Sequence, residues 1–187
     1  MSKLILVRHS LPEIIPTLPA NQWRLSEIGR RRCRPLADRL AAYAPDVIVT
    51  SDEPKAMETG QIVASLLDRP LKTVQDLHEH DRRNVAFEST EWFEAAVARF
   101  FAEPGRSIFG NETADQAHRR FSKAVAVVIE EHPKQNVALV AHGTVMTLFV
   151  ARKAGLEPFP FWKGLRLPAF VVLSRPELDL VRVVEEI

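Results

Sequence analysis

The sequence predicts an α/β protein, a three-layer α/β/α sandwich with a mostly parallel central sheet. Two patterns carry that prediction. Short apolar runs at Leu4 to Val7, Val47 to Val49 and Asn136 to Ala141 read as strands buried on both faces. Between them lie longer segments with helical periodicity, and strands alternating with helices indicate a parallel sheet covered on both sides. A third observation points beyond the fold. Each run stops at polar residues: Arg8-His9, Thr50-Ser51 and His142-Gly143. Open α/β sheets place their ligand crevices at such carboxyl ends.

Taken in order, the chain supports each element. Leu11 to Asn21 holds Pro12, Pro16 and Pro19 and is an irregular loop. Ser26 is a good N-cap for a helix reaching about Tyr43, with Glu27 adding charge of the favourable sign. Its apolar positions are Ile28, Leu36, Leu40 and Tyr43, and Pro35 should kink it or mark its proper start. Arg30, Arg31, Arg32 and Arg34 fall inside this pattern and read as a solvated face. Pro54 can open the next helix, over Ala56 to Leu67, before a third strand near Leu71 to Val74. Asp76 to Asn84 is a charged, histidine-rich loop. Thr90 to Phe101 is an aromatic-rich helix stopped by Pro104-Gly105. Thr113 caps a long helix to about Glu131 with Ala117, Phe121, Ala124, Val125 and Val128 inward. Thr144 to Ala154 is a further helix, and Pro168 to Leu173 with Leu180 to Val184 form a closing hairpin around Pro176.

Bulk properties bound the function classes. The 187 residues suffice for one domain, residues 1–187, and no repeat or linker divides them. Twenty-five Lys and Arg against 24 Asp and Glu leave a net charge of +1, which selects neither nucleic acid nor a membrane surface as partner. Cys33 is the only cysteine, so neither an internal disulfide nor a thiolate zinc site can form. No apolar run approaches membrane-spanning length and the N-terminus lacks signal-peptide features, so the expected location is cytoplasmic.

If the three polar-ended strands are neighbours, Arg8, His9, Lys55 and His142 converge on one rim. Two imidazoles and two cations suit a doubly charged tetrahedral anion, which makes the rim a phosphoryl pocket by chemistry. Alone, Arg8-His9 would read as a solvated strand end. A metal site from His78, His80 and a carboxylate is the weaker reading of the charged loop, and His118 and His132 read as structural or exposed.

Several segments, in order, then resemble one family. Leu6-Val7-Arg8-His9 resembles the opening signature of the histidine phosphatase superfamily, which includes the cofactor-dependent phosphoglycerate mutases. Leu25-Ser26-Glu27-Ile28-Gly29, Ser51 through Thr59, Leu77-His78-Glu79, Gly110 through Thr113 and Val140-Ala141-His142-Gly143 are similar to further family motifs. The resemblance implies a phosphoglycerate mutase-like fold and a metal-independent phosphatase without cofactor. It implies His9 as nucleophile forming a phosphohistidine, Glu79 as the acid with a raised pKa, and His142 and Arg8 on the phosphoryl oxygens. Lys55, Ser10 and Gly143 would complete the phosphate site, while Glu112, Arg82 and Arg83 could meet the rest of the substrate. Asp81 is the rival acid. Residues about 80–110 would form a cap over the pocket. The substrate would be a phosphate ester or a phosphohistidine, on a phosphorylated small molecule or a phosphoprotein.

Two positions depart from the family pattern. Lys55 stands where a second arginine is usual, keeping the charge without the bidentate fork. Ser10 replaces a smaller residue. Lys55 keeps open a non-catalytic or weakly active phospho-ligand binder. A mutase is less favoured, because the chain is short and residues 86–106 read as an apolar helix rather than a basic lid.

Overall fold

The computed structural model describes residues 2–187. Its six strands are β1 (Lys3–Arg8), β2 (Val47–Thr50), β3 (Leu71–Thr73), β4 (Val137–Ala141), β5 (Ala169–Ser174) and β6 (Leu180–Val184). They form one sheet in the order β3-β2-β4-β1-β5-β6. The first four in that order are parallel, and the β5–β6 hairpin adds antiparallel to β1. The polar-ended strands β2, β4 and β1 are therefore adjacent, as their shared termination requires.

Strict alternation along the strands sorts side chains to two faces. Ile5, Val7, Ile48, Ala138 and Val140 pack with Leu36, Ala37 and Leu40 of α1 (Glu27–Ala41) and Ala56 and Val63 of α2 (Pro54–Leu67). Leu4, Leu6, Val49, Val137 and Leu139 face the other way. They meet Phe100 of α3 (Thr90–Ala102), Phe121 of α4 (Ala114–Glu131), Val145 of α5 (Gly143–Ala154) and Trp162 of α6 (Pro158–Gly164). This is the expected three-layer sandwich.

The caps follow the sequence. The Ser26 hydroxyl accepts from Gly29 N at 3.0 Å, and Thr113 and Gln116 form a reciprocal capping box at the start of α4. Pro35 neither starts nor stops α1; it lies inside the helix on an exposed face, away from the buried stripe. Ile28, expected inward, is 58% exposed, because the buried stripe of α1 runs through Gly29, Cys33, Leu36 and Leu40. At the far end of α4, buried Arg175 donates to the carbonyls of Ile129, His132 and Gln135 at 2.8–2.9 Å, satisfying helix-terminal acceptors. Among the described residues, no helix is long and apolar enough to cross a membrane.

Candidate active site

Backbone pairing carries on past the ends of the central strands. His9 N donates to Ala141 O and Ser51 N to Val140 O, both at 3.0 Å, while His142 is the N-cap residue of α5. The sheet's own ladder thus places His9, Ser51 and His142 side by side. The two imidazoles meet edge to face, with ring centroids 5.2 Å apart.

His9 is buried and its Nδ1–H donates to the Ser10 carbonyl at 2.7 Å. That bond fixes the tautomer and leaves the Nε2 lone pair unengaged. Burial, reinforced by His142 and Lys55, holds its pKa well below the usual imidazole value, so the ring is neutral. His142 is fully buried, with Nε2 3.0 Å from Ser51 Oγ. Its Nδ1 has no hydrogen-bond partner among the described residues. Burial and Lys55 push this pKa down as well, against the pull of Glu79.

Arg8 donates to the Leu165 carbonyl, and its Nε is buried without a partner. Burial lowers its pKa to about 10, opposed by Glu79. The guanidinium lies directly on Gly143, where a Cβ would come within 2.9 Å of Arg8 Cζ. Gly143 therefore serves as the floor on which Arg8 rests. Ser10 sits behind His9: its hydroxyl donates to Gly29 O at 2.7 Å and its amide to Thr59 Oγ1 at 3.0 Å. The hydroxyl expected to face phosphate is thus committed to joining β1 to α1.

Lys55 reaches the site from α2, buried, with Nζ donating to Ala20 O at 2.8 Å. Its other partner is Glu53, an adjacent buried carboxylate that the sequence reading did not single out. Glu53 Oε1 also accepts from Glu79 N at 2.9 Å, and Oε2 lies 3.8 Å from His142 Nδ1. The lysine that replaces the usual arginine is therefore already paired with an anion. The spacing Glu53-Pro54-Lys55 at a helix start was the available signal.

Glu79 points at the N-terminus of α5. Its oxygens accept from Thr144 N at 3.0 Å, Val145 N at 3.2 Å and His80 N at 2.9 Å. Burial raises its pKa, but His142, Arg82 and these amides outweigh burial and hold it below the usual carboxylate value. The raised pKa expected for an acid is thus not found: the surroundings of Glu79 favour the carboxylate. Asp81, the rival acid, is pinned by the Arg83 guanidinium at 2.7 and 2.9 Å, which holds its carboxyl far below the usual range. Arg83 is exposed, with its charge spent on that pair.

Arg82 stands over the Phe93 ring at 4.3 Å and faces the site, where burial lowers its pKa against the pull of Glu79 and Glu53. Glu112 does not line the pocket. It accepts from Asp81 N at 2.9 Å and from Arg120 Nη2 at 2.6 Å. Arg120, also unforeseen, donates to the carbonyls of Asp76, His78 and Glu79. The Glu112–Arg120 pair is a clamp on the segment that carries Glu79. Gly110 completes it at φ +79°, where a Cβ would stand 2.5 Å from Asp81 O. His80 is buried between Phe100 and Phe109, and among the described residues no cluster of three or more metal-ligating side chains forms.

Two cavities meet at this floor, sharing Ala20, Lys55, Glu79 and Arg82. One, of about 290 Å³, contains Arg8 and His9 and is walled by apolar residues from the loop after β1 and from residues 85–93. The other, of about 590 Å³, is lined by polar groups including Arg24, Asp76 and Arg83. A neutral imidazole among cations, beside a carboxylate, is an arrangement whose charge and size suit a phosphoryl group.

The sequence profile of the Histidine phosphatase superfamily (branch 1) matches residues 4–174, and the chain belongs to that family. It is 25% identical over 134 residues to the uncharacterized phosphatase PhoE of Bacillus subtilis (strain 168), covering 72% of this chain and 66% of that protein. The match thus spans just under two thirds of the relative's length. A mycobacterial glucosyl-3-phosphoglycerate phosphatase solved with VO3 superposes with TM-score 0.80 at 19% identity, covering 100% of both chains. A phosphoserine phosphatase mutant from Entamoeba histolytica, solved with phosphoserine, gives TM-score 0.78 at 17% identity over 98% of this chain and 97% of that one. Both likenesses establish the phosphoglycerate mutase-like fold.

Proposed function

We propose that this protein is a phosphatase that hydrolyses a phosphate monoester through a phosphohistidine on His9. The observation that carries the reading is the convergence of a neutral His9, its Nε2 free, with Arg8, Lys55, Arg82 and Glu79 on one cavity floor. His9 Nε2 attacks phosphorus while the bond to the ester oxygen breaks. Arg8, Arg82 and His142 Nδ1–H stabilise the charge on the equatorial oxygens. Glu79 delivers a proton to the departing alkoxide. Water then attacks the phosphohistidine, Glu79 takes its proton, and the P–N bond breaks to release phosphate and regenerate His9.

For Glu79 to act as acid it must gain a proton when substrate arrives. A phosphoryl dianion placed beside the carboxylate supplies the upward push, by like-charge repulsion. Glu79 is favoured over Asp81 because only Glu79 borders the cavity that holds His9, and because Asp81 is locked to Arg83. The side chains supply the positive charge, so the reading needs no metal or cofactor. The segment at about 80–110 acts as a cap, contributing Arg82 and the apolar wall, and a cavity of this size suits a phosphorylated small molecule better than a phosphoprotein.

The test is turnover of a phosphomonoester panel with acid-quench trapping of phosphoenzyme. His9→Ala should lose both the trapped intermediate and at least about 1,000-fold in turnover. Equal rates for parent and variant would sink the reading. One observation supports a second, weaker reading of a poorly active phospho-ligand binder: Glu53 neutralises Lys55 inside the pocket. Tight vanadate binding with no turnover on the panel would favour it.

A further inference from the structure

Resting on the phosphatase reading, we infer that the ester group of the substrate is an apolar, ring-bearing alcohol, held by a wall of Trp23, Phe87, Trp92 and Phe93. The surface pattern leads there first. Among the described residues, eight large hydrophobic side chains are exposed, and four of them, Ile14, Leu18, Phe87 and Trp92, line the one cavity that contains His9. Exposed apolar residues that merely escaped the core are scattered singly, whereas a cluster in a concavity marks a ligand. Phe87 is 50% exposed and Trp92 42%, so each has ring surface left to bury.

The chemistry of the wall narrows the class. Trp23 and Phe87 approach across the cavity with ring centroids 6.2 Å apart, joining the loop after β1 to the cap. The Trp23 indole N–H is already committed to the carbonyls of Ile15 and Leu18, at 3.0 and 3.1 Å, so it offers a hydroxylated ligand nothing. Of the residues between Phe87 and Trp92, Glu88 and Thr90 line the cavity, and a carboxylate there disfavours a second acidic group on the ligand. The volume of about 290 Å³ is at the small end of small-molecule pockets, about 300–1,000 Å³. The polar cavity would take a sugar or glycerate, but it lacks His9 and Arg8. The leaving group belongs in the cavity the nucleophile opens into.

The experiment compares esters of matched leaving-group chemistry, so that intrinsic reactivity is held constant. Wild-type kcat/KM is measured for 2-phenylethyl phosphate, ethyl phosphate, glycerol 3-phosphate and glucose 6-phosphate. The phenylethyl ester should exceed each of the others by about tenfold or more, the value of burying an added apolar group. Phe87→Ala and Trp92→Ala should each lower the phenylethyl-to-ethyl ratio by about threefold to tenfold. Val127→Ala, at an exposed apolar residue that lines neither cavity, should leave that ratio unchanged. Equal kcat/KM across the panel, or a preference for the sugar or glycerol ester, overturns the inference and leaves the phosphatase reading standing. If no ester turns over, the phosphatase reading fails instead, and calorimetry with 2-phenylethylphosphonate against ethylphosphonate still decides the wall. Equal affinities would refute it.

Discussion

The rim of the sheet and the segment at residues 74–113 build one site by opposite means. On the rim, His9, Ser51 and His142 follow strands whose pairing continues into the site through the bonds from His9 N and Ser51 N. Across from them, Glu79 and Arg82 ride on irregular chain between β3 and α3. That chain is held mainly by side chains: the Glu112–Arg120 clamp, the Glu53 bond to Glu79 N, and Phe93 beneath Arg82. The proposed nucleophile is thus fixed by backbone hydrogen bonds, and the chain segment that carries the proposed acid by a few substitutable side-chain contacts. In such a design the attack is preorganised by the fold, while protonation and leaving-group choice can be retuned without disturbing the sheet.

Perturbing the side-chain half should therefore damage chemistry before it damages folding. Glu79→Gln keeps the shape, one acceptor for the α5 amides and the buried volume, but cannot deliver a proton. We expect kcat for an alkyl phosphate to fall by about 100- to 10,000-fold, with far less loss for a nitrophenyl ester whose leaving group needs no acid. Equal losses on both esters would remove Glu79 from the acid role. Arg120→Met strikes the clamp one step further out. It strands Glu112 and frees three carbonyls, so we expect a loss of about 2–3 kcal/mol in unfolding free energy by denaturant titration. It should also lower kcat more than it raises KM, through a displaced Glu79. A stable variant with normal kcat would show that the segment is held by something else.

The same contrast separates what was legible in the sequence from what was not. The strands β1, β2 and β4 announced themselves because burial on both faces leaves a continuous apolar run, and their polar ends located the rim. Caps such as Ser26 and Thr113 were equally readable, since the capping oxygen and its target lie three residues apart. The helix α6 was missed: Pro158-Phe159-Pro160 breaks helical periodicity, and packing on the core makes the turn anyway. Arg120, the reach of Glu53 to Glu79 and the committed hydroxyl of Ser10 were unreadable for a different reason. Their partners lie 41 to 44 residues away for Arg120 with Asp76, His78 and Glu79, 26 for Glu53 with Glu79, and 19 for Ser10 with Gly29. No local periodicity encodes such meetings.

The rim has its own vulnerability, which pH exposes. His9 and His142 are buried with pKa values pushed well below 6.5, whereas in the unfolded chain they titrate normally. Below about pH 6.5 the unfolded state binds more protons, so stability falls as pH falls, at up to about 1.4 kcal/mol per pH unit for each imidazole. Between pH 7 and about 5.5 the two together should remove about 2–3 kcal/mol. Glu79, whose pKa is also lowered, contributes in the same direction only at lower pH, near and below about 4. Thermal unfolding across this range checks it, and His9→Asn should flatten the slope by about half. A pH-independent Tm in the parent would mean the imidazoles are hydrated or charged in the native state.

The smallest expected effect is the most specific to this chain. Glu53 occupies the seam between the two halves, one oxygen on Lys55 and the other on the amide of Glu79. Glu53→Gln preserves an acceptor for that amide while removing the negative charge, so Lys55 should turn toward a phosphoryl oxygen. Coulomb repulsion between the carboxylate and a dianion within a few ångströms is large even when well screened, and part of it is lost to rearrangement of Lys55. We expect vanadate to bind about tenfold more tightly, with kcat falling a few-fold, because Glu79 also loses an anionic neighbour and is held more firmly as a carboxylate. Weaker vanadate binding in the variant would reverse the assignment. Glu53 would then be the group that positions Lys55 for phosphate, and the pair would stand in functionally for the arginine this chain lacks.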